Sequence, residues 1–237
     1  MLFLIKVLII KHNVKLKMNI TDNVRNILSE IPKSVLLVAA TKERAPEEIA
    51  EAVLSGVNAI GENYVQEEEK KFAKVNELIS GKKVQRHFIG HLQKNKVKKA
   101  LSLFDVIETV DSIGIAEEIS RKAEKKFPVL IEVNISGEET KTGVTKEDAE
   151  NLARNISALP NIELSGLMAI PYSEDREKLR GYFREMKILF EKLKNLKIPG
   201  ADLKFLSMGM SSDYKMAVEE GANIIRVGTK IFGERKK

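Results

Sequence analysis

The chain has 237 residues, 43% of them hydrophobic, which is enough for one well-buried domain and too few for two large ones. With no cysteine, no tryptophan and three histidines, it excludes a disulfide framework and thiolate metal ligands and leaves little room for any metal site. The formal charge of +6 at pH 7 keeps nucleic acid and small anions under consideration as partners. We therefore expect a cytoplasmic protein of one domain without a metal.

The first stretch of the chain is apolar but does not match a membrane span. It runs from Leu2 to Ile10, is interrupted by Lys6, and is shorter than a spanning helix requires. Basic residues follow it rather than precede it, and no small-residue cleavage site comes after it, so it does not match a signal peptide. Met18 then opens a conventional start. We interpret residues 1–17 as a non-native or disordered extension and expect residues 18–237 to form the folded domain.

From Met18 onward, strand-like runs alternate with amphipathic helical stretches. Strands are predicted near residues 35–41, 58–61, 84–89, 105–110, 129–135, 162–170, 203–208 and 224–227. Helices are predicted between them, near residues 46–56, 64–80, 92–103, 113–126, 145–158, 175–196 and 212–221. This alternation predicts the α/β class and a (β/α)8 TIM barrel in a single domain. An open doubly wound sheet is the nearest alternative, but no Gly-x-Gly-x-x-Gly follows the first strand.

Lys42 directly follows the first predicted strand, a run of apolar and small residues typical of a buried parallel strand. Barrels keep their chemistry at the carboxyl ends of the strands, so the amine is delivered where a site is expected. Surroundings of low dielectric disfavour the ammonium form, and a neutral amine attacks an aldehyde to form an imine. The alternative is a solvated lysine in an ordinary loop.

Glycines and hydroxyl residues follow the last two predicted strands. Barrels often bind a phosphate between the loops after strands seven and eight, where backbone N–H groups converge on the anion. Gly209 and Gly228 allow close backbone approach, and Ser207, Ser211 and Thr229 offer hydroxyl donors. A helix cap and a plain turn glycine remain the alternative. The two loops together favour a phosphate, and with Lys42 they favour a ligand such as pyridoxal 5′-phosphate (PLP), which has both an aldehyde and a phosphate.

Several ordered motifs resemble the pyridoxal phosphate homeostasis protein family, a stand-alone relative of the alanine racemase N-terminal barrel domain. The motifs are Ala40-Thr41-Lys42, Gly61-Glu62-Asn63-Tyr64-Val65-Gln66-Glu67, the stretch from His87 to Lys96, Gly166-Leu167-Met168-Ala169-Ile170-Pro171, and the tail from Leu206 to Arg235. The resemblance covers nearly everything from Met18 onward. It implies a barrel over residues 18–237 that holds PLP as an aldimine and serves PLP homeostasis and delivery in the cytoplasm rather than turnover.

The resemblance also implies site residues, carried over by matching position. Lys42 becomes the aldimine lysine, and the phosphate contacts become Ser207, Met210, Ser211, Gly228 and Thr229. Arg226 matches the arginine expected near the pyridine nitrogen, and the alternative is a barrel-interior charge paired to a carboxylate. Asn63 faces the ring, and His87 and Met168 line its faces. For His87 an interior hydrogen-bonded imidazole, and for Met168 a core position, remain open.

Other reactions stay open at this stage. Alanine racemase takes a second base, a tyrosine, from a further domain across a dimer, so a racemase-like enzyme requires Tyr64, Tyr172 or Tyr214 as a substitute. A class I aldolase-like enzyme would use the same lysine on a phosphorylated ketone. The implied partners are PLP and apo PLP-dependent enzymes, with no membrane, and we expect a monomer or at most a weak dimer.

A basic stretch raises nucleic-acid binding as a different class of function. The stretch from Lys82 to Lys99 contains several lysines and no acidic residue. Against this, aromatic residues make up only 5% of the chain, which is too few for a stacking platform. A basic face on a barrel is usually solvated, so we do not expect specific nucleic-acid binding.

Overall fold

The computed structural model describes residues 19–138 and 140–234. The interpretation of residues 1–17 as an extension lies outside these residues. Within them, the strands are β1 Leu36–Ala40, β2 Ala59–Glu62, β3 Gln85–Phe88, β4 Val106–Val110, β5 Phe127–Asn134, β6 Val144–Thr145, β7 Ile162–Met168, β8 Ala201–Ser207 and β9 Ile224–Val227. The helices are α1 Ile20–Glu30, α2 Pro46–Leu54, α3 Val65–Leu78, α4 Val97–Leu103, α5 Ile113–Lys122, α6 Ala149–Ser157, α7 Arg176–Asn195, α8 Tyr214–Glu219 and α9 Thr229–Phe232.

All strand pairings in the described residues are parallel, and they close into a barrel. The order along the sheet is β4-β3-β2-β1-β9-β8-β7-β5, and a further pairing of β4 with β5 closes the ring. The two-residue β6 pairs with the carboxyl end of β5, outside the ring. The (β/α)8 prediction is therefore confirmed, with each of the predicted strands present.

Three elements are missing from the sequence prediction. They are α1, β6 and α9, and α1 had a readable signal because Asn19 caps its first N–H groups and Ile20, Val24 and Ile27 bury one face. It lies before the first strand, where the strand–helix alternation gives no reason to expect a helix. The predicted helix near 92–103 is also divided into a 3-10 turn, Lys94–Lys96, and α4.

The barrel interior changes from apolar to charged toward the carboxyl ends of the strands. Five buried residues form a separate apolar cluster, namely Val38, Ala59, Leu130, Met168 and Ile224. The next inward positions carry charges: Glu132 is two residues beyond Leu130, and Arg226 is two residues beyond Ile224. The polar layer thus lies directly under the face where a barrel site is expected. No helix in the described residues is long and apolar enough to cross a membrane.

Candidate functional site at the carboxyl ends of the strands

Lys42 lies in the loop after β1, and its amine reaches the mouth of the barrel. Its side chain is 23% exposed, and Nζ lies 5.0 Å from the centre of the Tyr64 ring. The nearest carboxylate oxygen of an ion pair, Oε1 of Glu43, is 3.9 Å away, at the limit of such a pair. The amine is therefore held against an aromatic face and remains accessible from solvent.

The loops after β8 and β9 meet beside the Lys42 loop at the mouth. The N–H groups of Gly228 and Lys230 both donate to Oγ of Ser211, at 3.2 and 3.3 Å. Gly209 has a φ of 95°, and its carbonyl accepts the N–H of Arg226 at 2.9 Å. The helix predicted from residue 212 begins only at Tyr214, because residues 211–213 form a turn. Two backbone N–H groups thus converge on one hydroxyl oxygen, that of Ser211, close to β1.

The two sides of the mouth belong to neighbouring strands. β1 pairs with β9 so that Ala39 lies opposite Val227, which places Ala40 beside Gly228. A Cβ built on Gly228 would lie 3.5 Å from Ala40. The lysine loop and the hydroxyl loops are therefore fixed relative to one another by the main chain of the sheet.

A buried polar network lies beneath the mouth. Ser207 donates to Glu108 at 2.6 Å and accepts a short hydrogen bond from Arg226, whose other terminal nitrogen donates to the carbonyl of Ala169 at 2.8 Å. Oε1 of Glu108 lies 2.5 Å from Nδ1 of His87. Burial raises the pKa of Glu108, but the hydrogen bond and charge of His87 and the charge of Arg226 outweigh it, so this pKa lies below its ordinary value.

Comparison with known proteins identifies the family of the chain. The model of the alanine racemase N-terminal domain family matches residues 17–236. A pyridoxal phosphate homeostasis protein from Aquifex aeolicus is 40% identical over 236 residues, which cover 92% of this chain and 100% of the relative. The chain belongs to the pyridoxal phosphate homeostasis protein family.

A second sequence relative and a solved structure also match most of the chain. The Escherichia coli family member is 38% identical over 210 residues, covering 86% of this chain and 87% of the relative. PipY from Synechococcus elongatus, whose structure was solved with PLP bound, superposes with a TM-score of 0.81 at 33% identity and covers 90% of this chain and 100% of PipY. The barrel described above is therefore the family fold.

The side chains at the mouth fit the chemistry of PLP. Lys42 supplies an accessible amine for an aldehyde, and the Ser211 and Gly228 loops supply hydroxyl and backbone groups suited to a phosphate. Arg226 supplies a buried guanidinium that can donate to a ring nitrogen. His87 is buried, and its Nε2 has no hydrogen-bond partner among the described residues, which is the condition of a polar atom that faces a ligand or a water.

The predicted family site residues lie at different depths, some inside the barrel and others in the loops at its mouth. Ser207 lies inside the barrel with its hydroxyl bonded to Glu108, while Met168 is fully buried in the apolar cluster. Asn63 and Met210 lie in the loops after β2 and β8, partly buried, and Thr229 is exposed at the start of α9. Their roles toward the cofactor stay predictions, and the core position left open for Met168 is the one its side chain occupies.

Sequence reasoning missed the charged residues that support the family site. Glu108 was not singled out, although a glutamate inside a run as apolar as Val106–Val110 signals a buried partner. Glu62 and Lys71 were also missed. Glu62 was quoted only as part of a motif, and Lys71 falls in the middle of a helix rich in charges, where nothing distinguishes it from solvated neighbours.

Proposed function

We propose that this protein binds PLP at the mouth of the barrel, with Lys42 at the aldehyde and the loops after β8 and β9 at the phosphate. The observation that carries the proposal is the placement of an accessible amine and a hydroxyl-rich loop pair on adjacent strands, β1 and β9. Membership of a family named for PLP homeostasis supports a role in holding and delivering the cofactor. A cytoplasmic location and delivery to apo PLP-dependent enzymes belong to the same proposal.

In this proposal, Lys42 is the residue that binds the aldehyde. When bound, PLP supplies an electrophilic aldehyde carbon and an electron-withdrawing ring. A neutral amine is the form that adds to an aldehyde, and Nζ of Lys42 lies at the mouth, 5.0 Å from the centre of the Tyr64 ring and 3.9 Å from Oε1 of Glu43. The side chain is partly exposed, so the amine can exchange protons with solvent.

Arg226 favours holding over turnover. Its guanidinium is fixed by Ser207 and the carbonyl of Ala169, and Glu108 balances its charge. A guanidinium donates hydrogen bonds but does not give up its proton near neutral pH, so it would leave a ring nitrogen unprotonated. An unprotonated ring withdraws electrons weakly, which disfavours carbanion chemistry.

A racemase-like reaction needs a second base, and one of the three candidate tyrosines is in the wrong place. Tyr214 is buried and its hydroxyl donates to Glu30 of α1, outside the barrel. Burial and the hydrogen bond to Glu30 raise the pKa of Tyr214 to about 12. Tyr172 is exposed, and Tyr64 lies under the Lys42 amine. The geometry therefore supports binding better than two-base catalysis.

The first experiment is an absorption spectrum of the protein with PLP, before and after borohydride. We expect a visible band that borohydride removes, with the added mass on the peptide containing Lys42. Lys42→Ala should lose the band, because the variant lacks the accessible amine that follows β1. The matched control is Lys122→Ala, a lysine of α5 that is 32% exposed and pairs with Glu118 on the outer surface.

The same spectrum separates the competing functions. A protein that stays colourless with PLP, yet gains mass on Lys42 with a phosphorylated ketone and borohydride, would be aldolase-like. A band that survives in Lys42→Ala would place the binding amine elsewhere. Delivery is tested by adding loaded protein to an apo PLP-dependent enzyme in the presence of a scavenger of free PLP, where recovery of activity faster than from free PLP supports direct transfer.

A further inference from the structure

A second lysine, Lys71 of α3, lies close behind the Lys42 loop and is held very differently. Its Nζ donates to Oε2 of Glu62 at 2.9 Å, to Oε2 of Glu67 at 2.8 Å and to the carbonyl of Thr41 at 3.0 Å. The side chain is 12% exposed. All three protons of the ammonium therefore have acceptors, and one acceptor is the peptide that precedes Lys42.

The partners of Lys71 reach the other side of Lys42 as well. Oε2 of Glu67, which accepts from Lys71, also accepts the N–H of Glu43 at 2.9 Å. The peptide before Lys42 and the peptide after it are thus joined through one ammonium and one carboxylate. No other lysine in the described residues has hydrogen bonds to both this loop and α3.

Glu62 anchors the cluster from beneath. It is almost fully buried at the end of β2, and its second oxygen accepts the N–H of Asn63 at 2.7 Å. Thr41 donates its hydroxyl to the carbonyl of Gly61 at 3.1 Å. The cluster is therefore tied to the barrel wall rather than to a mobile surface.

The backbone at Glu43 shows why support is needed. Glu43 has a φ of 60°, a left-handed conformation that side chains other than glycine adopt only at an energetic disadvantage. A residue directly after Lys42 that is held in this conformation must be stabilised by its surroundings. The hydrogen bond from its N–H to Glu67 is one such contact.

We propose that Lys71, acting with Glu62 and Glu67, is a positioning residue that fixes the Lys42 loop so that the Lys42 amine enters the mouth of the barrel. Lys71 does not itself react, because its amine is saturated by three acceptors. This inference rests on the proposed function for its consequence in PLP binding, but the order of the loop is a separate property that can be measured without PLP.

Ionisation supports the same division of roles. Burial lowers the pKa of Lys71, but the hydrogen bonds and charges of Glu67 and Glu62 outweigh it, so this pKa lies above its ordinary value. Lys71 therefore stays charged at neutral pH, and a charged amine does not add to an aldehyde.

The test compares Lys71→Met with Lys74→Met, a change one turn along the same helix in an exposed lysine that pairs with Glu77. Two ligands are used: PLP, and pyridoxine 5′-phosphate, which has the ring and phosphate but no aldehyde. We expect Lys71→Met to weaken PLP binding by about tenfold or more while leaving pyridoxine phosphate affinity unchanged, since a lost hydrogen bond to a charged group has about this effect. Lys74→Met should change neither.

Amide hydrogen exchange reports the loop without any ligand. In Lys71→Met, exchange at residues 41–45 should quicken by about tenfold relative to wild type, and in Lys74→Met it should not. Because Lys71→Met leaves Glu62 buried beside no cation, Glu67→Gln serves as a second variant that keeps the shape of the side chain. It should quicken exchange at the same residues, and Lys71→Arg should restore part of the PLP affinity.

The outcomes are distinguishable. Equal loss of both ligands in Lys71→Met, or unchanged exchange in both Lys71→Met and Glu67→Gln, overturns the positioning role. A wild-type protein that does not bind PLP, together with faster loop exchange in the variants, refutes the proposed function and leaves the structural part of this inference standing.

Discussion

The two sides of the barrel mouth are held in place by different kinds of interaction. On the lysine side, after β1 and β2, the main chain is held by ionised groups, with Lys71 and Glu67 bonded to the peptides on either side of Lys42. On the hydroxyl side, after β8 and β9, it is held by the Ser211 hydroxyl, by the turn at Gly209 and by a single carboxylate, Asp213, which accepts the N–H of Met210 at 2.6 Å.

This difference predicts which perturbation affects each side. Charges respond to pH and to removal of a counterion, whereas a tight turn responds to added volume. Substitutions can break either side separately.

The largest effect is expected for Gly209→Ala on the hydroxyl side. Gly209 has a φ of 95°, and an added Cβ would lie 2.6 Å from Cβ of Ala217. We expect the free energy of unfolding to fall by roughly 2–5 kcal/mol, from backbone strain together with overpacking. The measurement is denaturant unfolding beside Gly81→Ala, because Gly81 has a φ of 79° with nothing within 4 Å of an added Cβ. Equal losses in the two variants would show that crowding at Gly209 is irrelevant.

A smaller and more specific effect is expected for Gly228→Ala. Here an added Cβ meets Ala40 at an ordinary 3.5 Å and φ is −114°, so folding should be little affected. The methyl group would obstruct approach of a phosphate to the loop, and we expect PLP affinity to fall about tenfold, the effect of one weakened charge-assisted hydrogen bond. Pyridoxal, which lacks the phosphate, should bind wild type and variant alike. An equal loss of affinity for pyridoxal would show that the phosphate does not bind at Gly228.

The barrel itself was predictable from the sequence because its signal is repeated. Each strand is a short apolar run and each helix has its own amphipathic period, so errors at one element do not change the architecture. Two of the missed elements, the two-residue β6 and the four-residue α9, are too short to have a periodic signal. The third, α1, has such a signal, but it lies before the first strand, where the strand–helix alternation does not predict a helix.

The site was predictable only where residue type and strand end coincide. Lys42 and Gly228 stand directly after strands, so their position could be inferred, and family resemblance supplied their roles. Glu108 and Lys71 act through contacts distant in sequence: Glu108 bonds Ser207, 99 residues away, and Lys71 bonds the carbonyl of Thr41, 30 residues away. Such pairings follow from closure of the barrel, and a single sequence does not encode them in any local pattern.

The smallest effect concerns the pH dependence of the lysine side. Burial raises the pKa of Glu67, but hydrogen bonds from Lys71 and from the N–H of Glu43 outweigh it, so this pKa lies below its ordinary 4.5. A carboxylate with a lowered pKa stabilises the fold above its ordinary value, and that contribution disappears as the pH falls through the lowered pKa. The pKa of Lys71 lies above its ordinary 10.5, so its contribution is complete below that pH. The contributions of Glu67 and Lys71 should therefore be constant between about pH 4.5 and 10.5, whereas burial raises the pKa of Glu62 above 4.5, so Glu62 is the first carboxylate of the cluster to take up a proton as the pH falls.

Unfolding free energies of wild type and Glu67→Gln, measured across this range, test the plateau. We expect a constant difference of under about 1 kcal/mol, since water screens a partly exposed pair, and a decrease of that difference below pH 4.5. Ser211→Ala, on the hydroxyl side, breaks only neutral hydrogen bonds, so its difference from wild type should not vary with pH. If the two variants showed the same pH profile, ionisation would not distinguish the Lys42 loop from the Ser211 loop, and the contrast between the two sides of the mouth would be wrong.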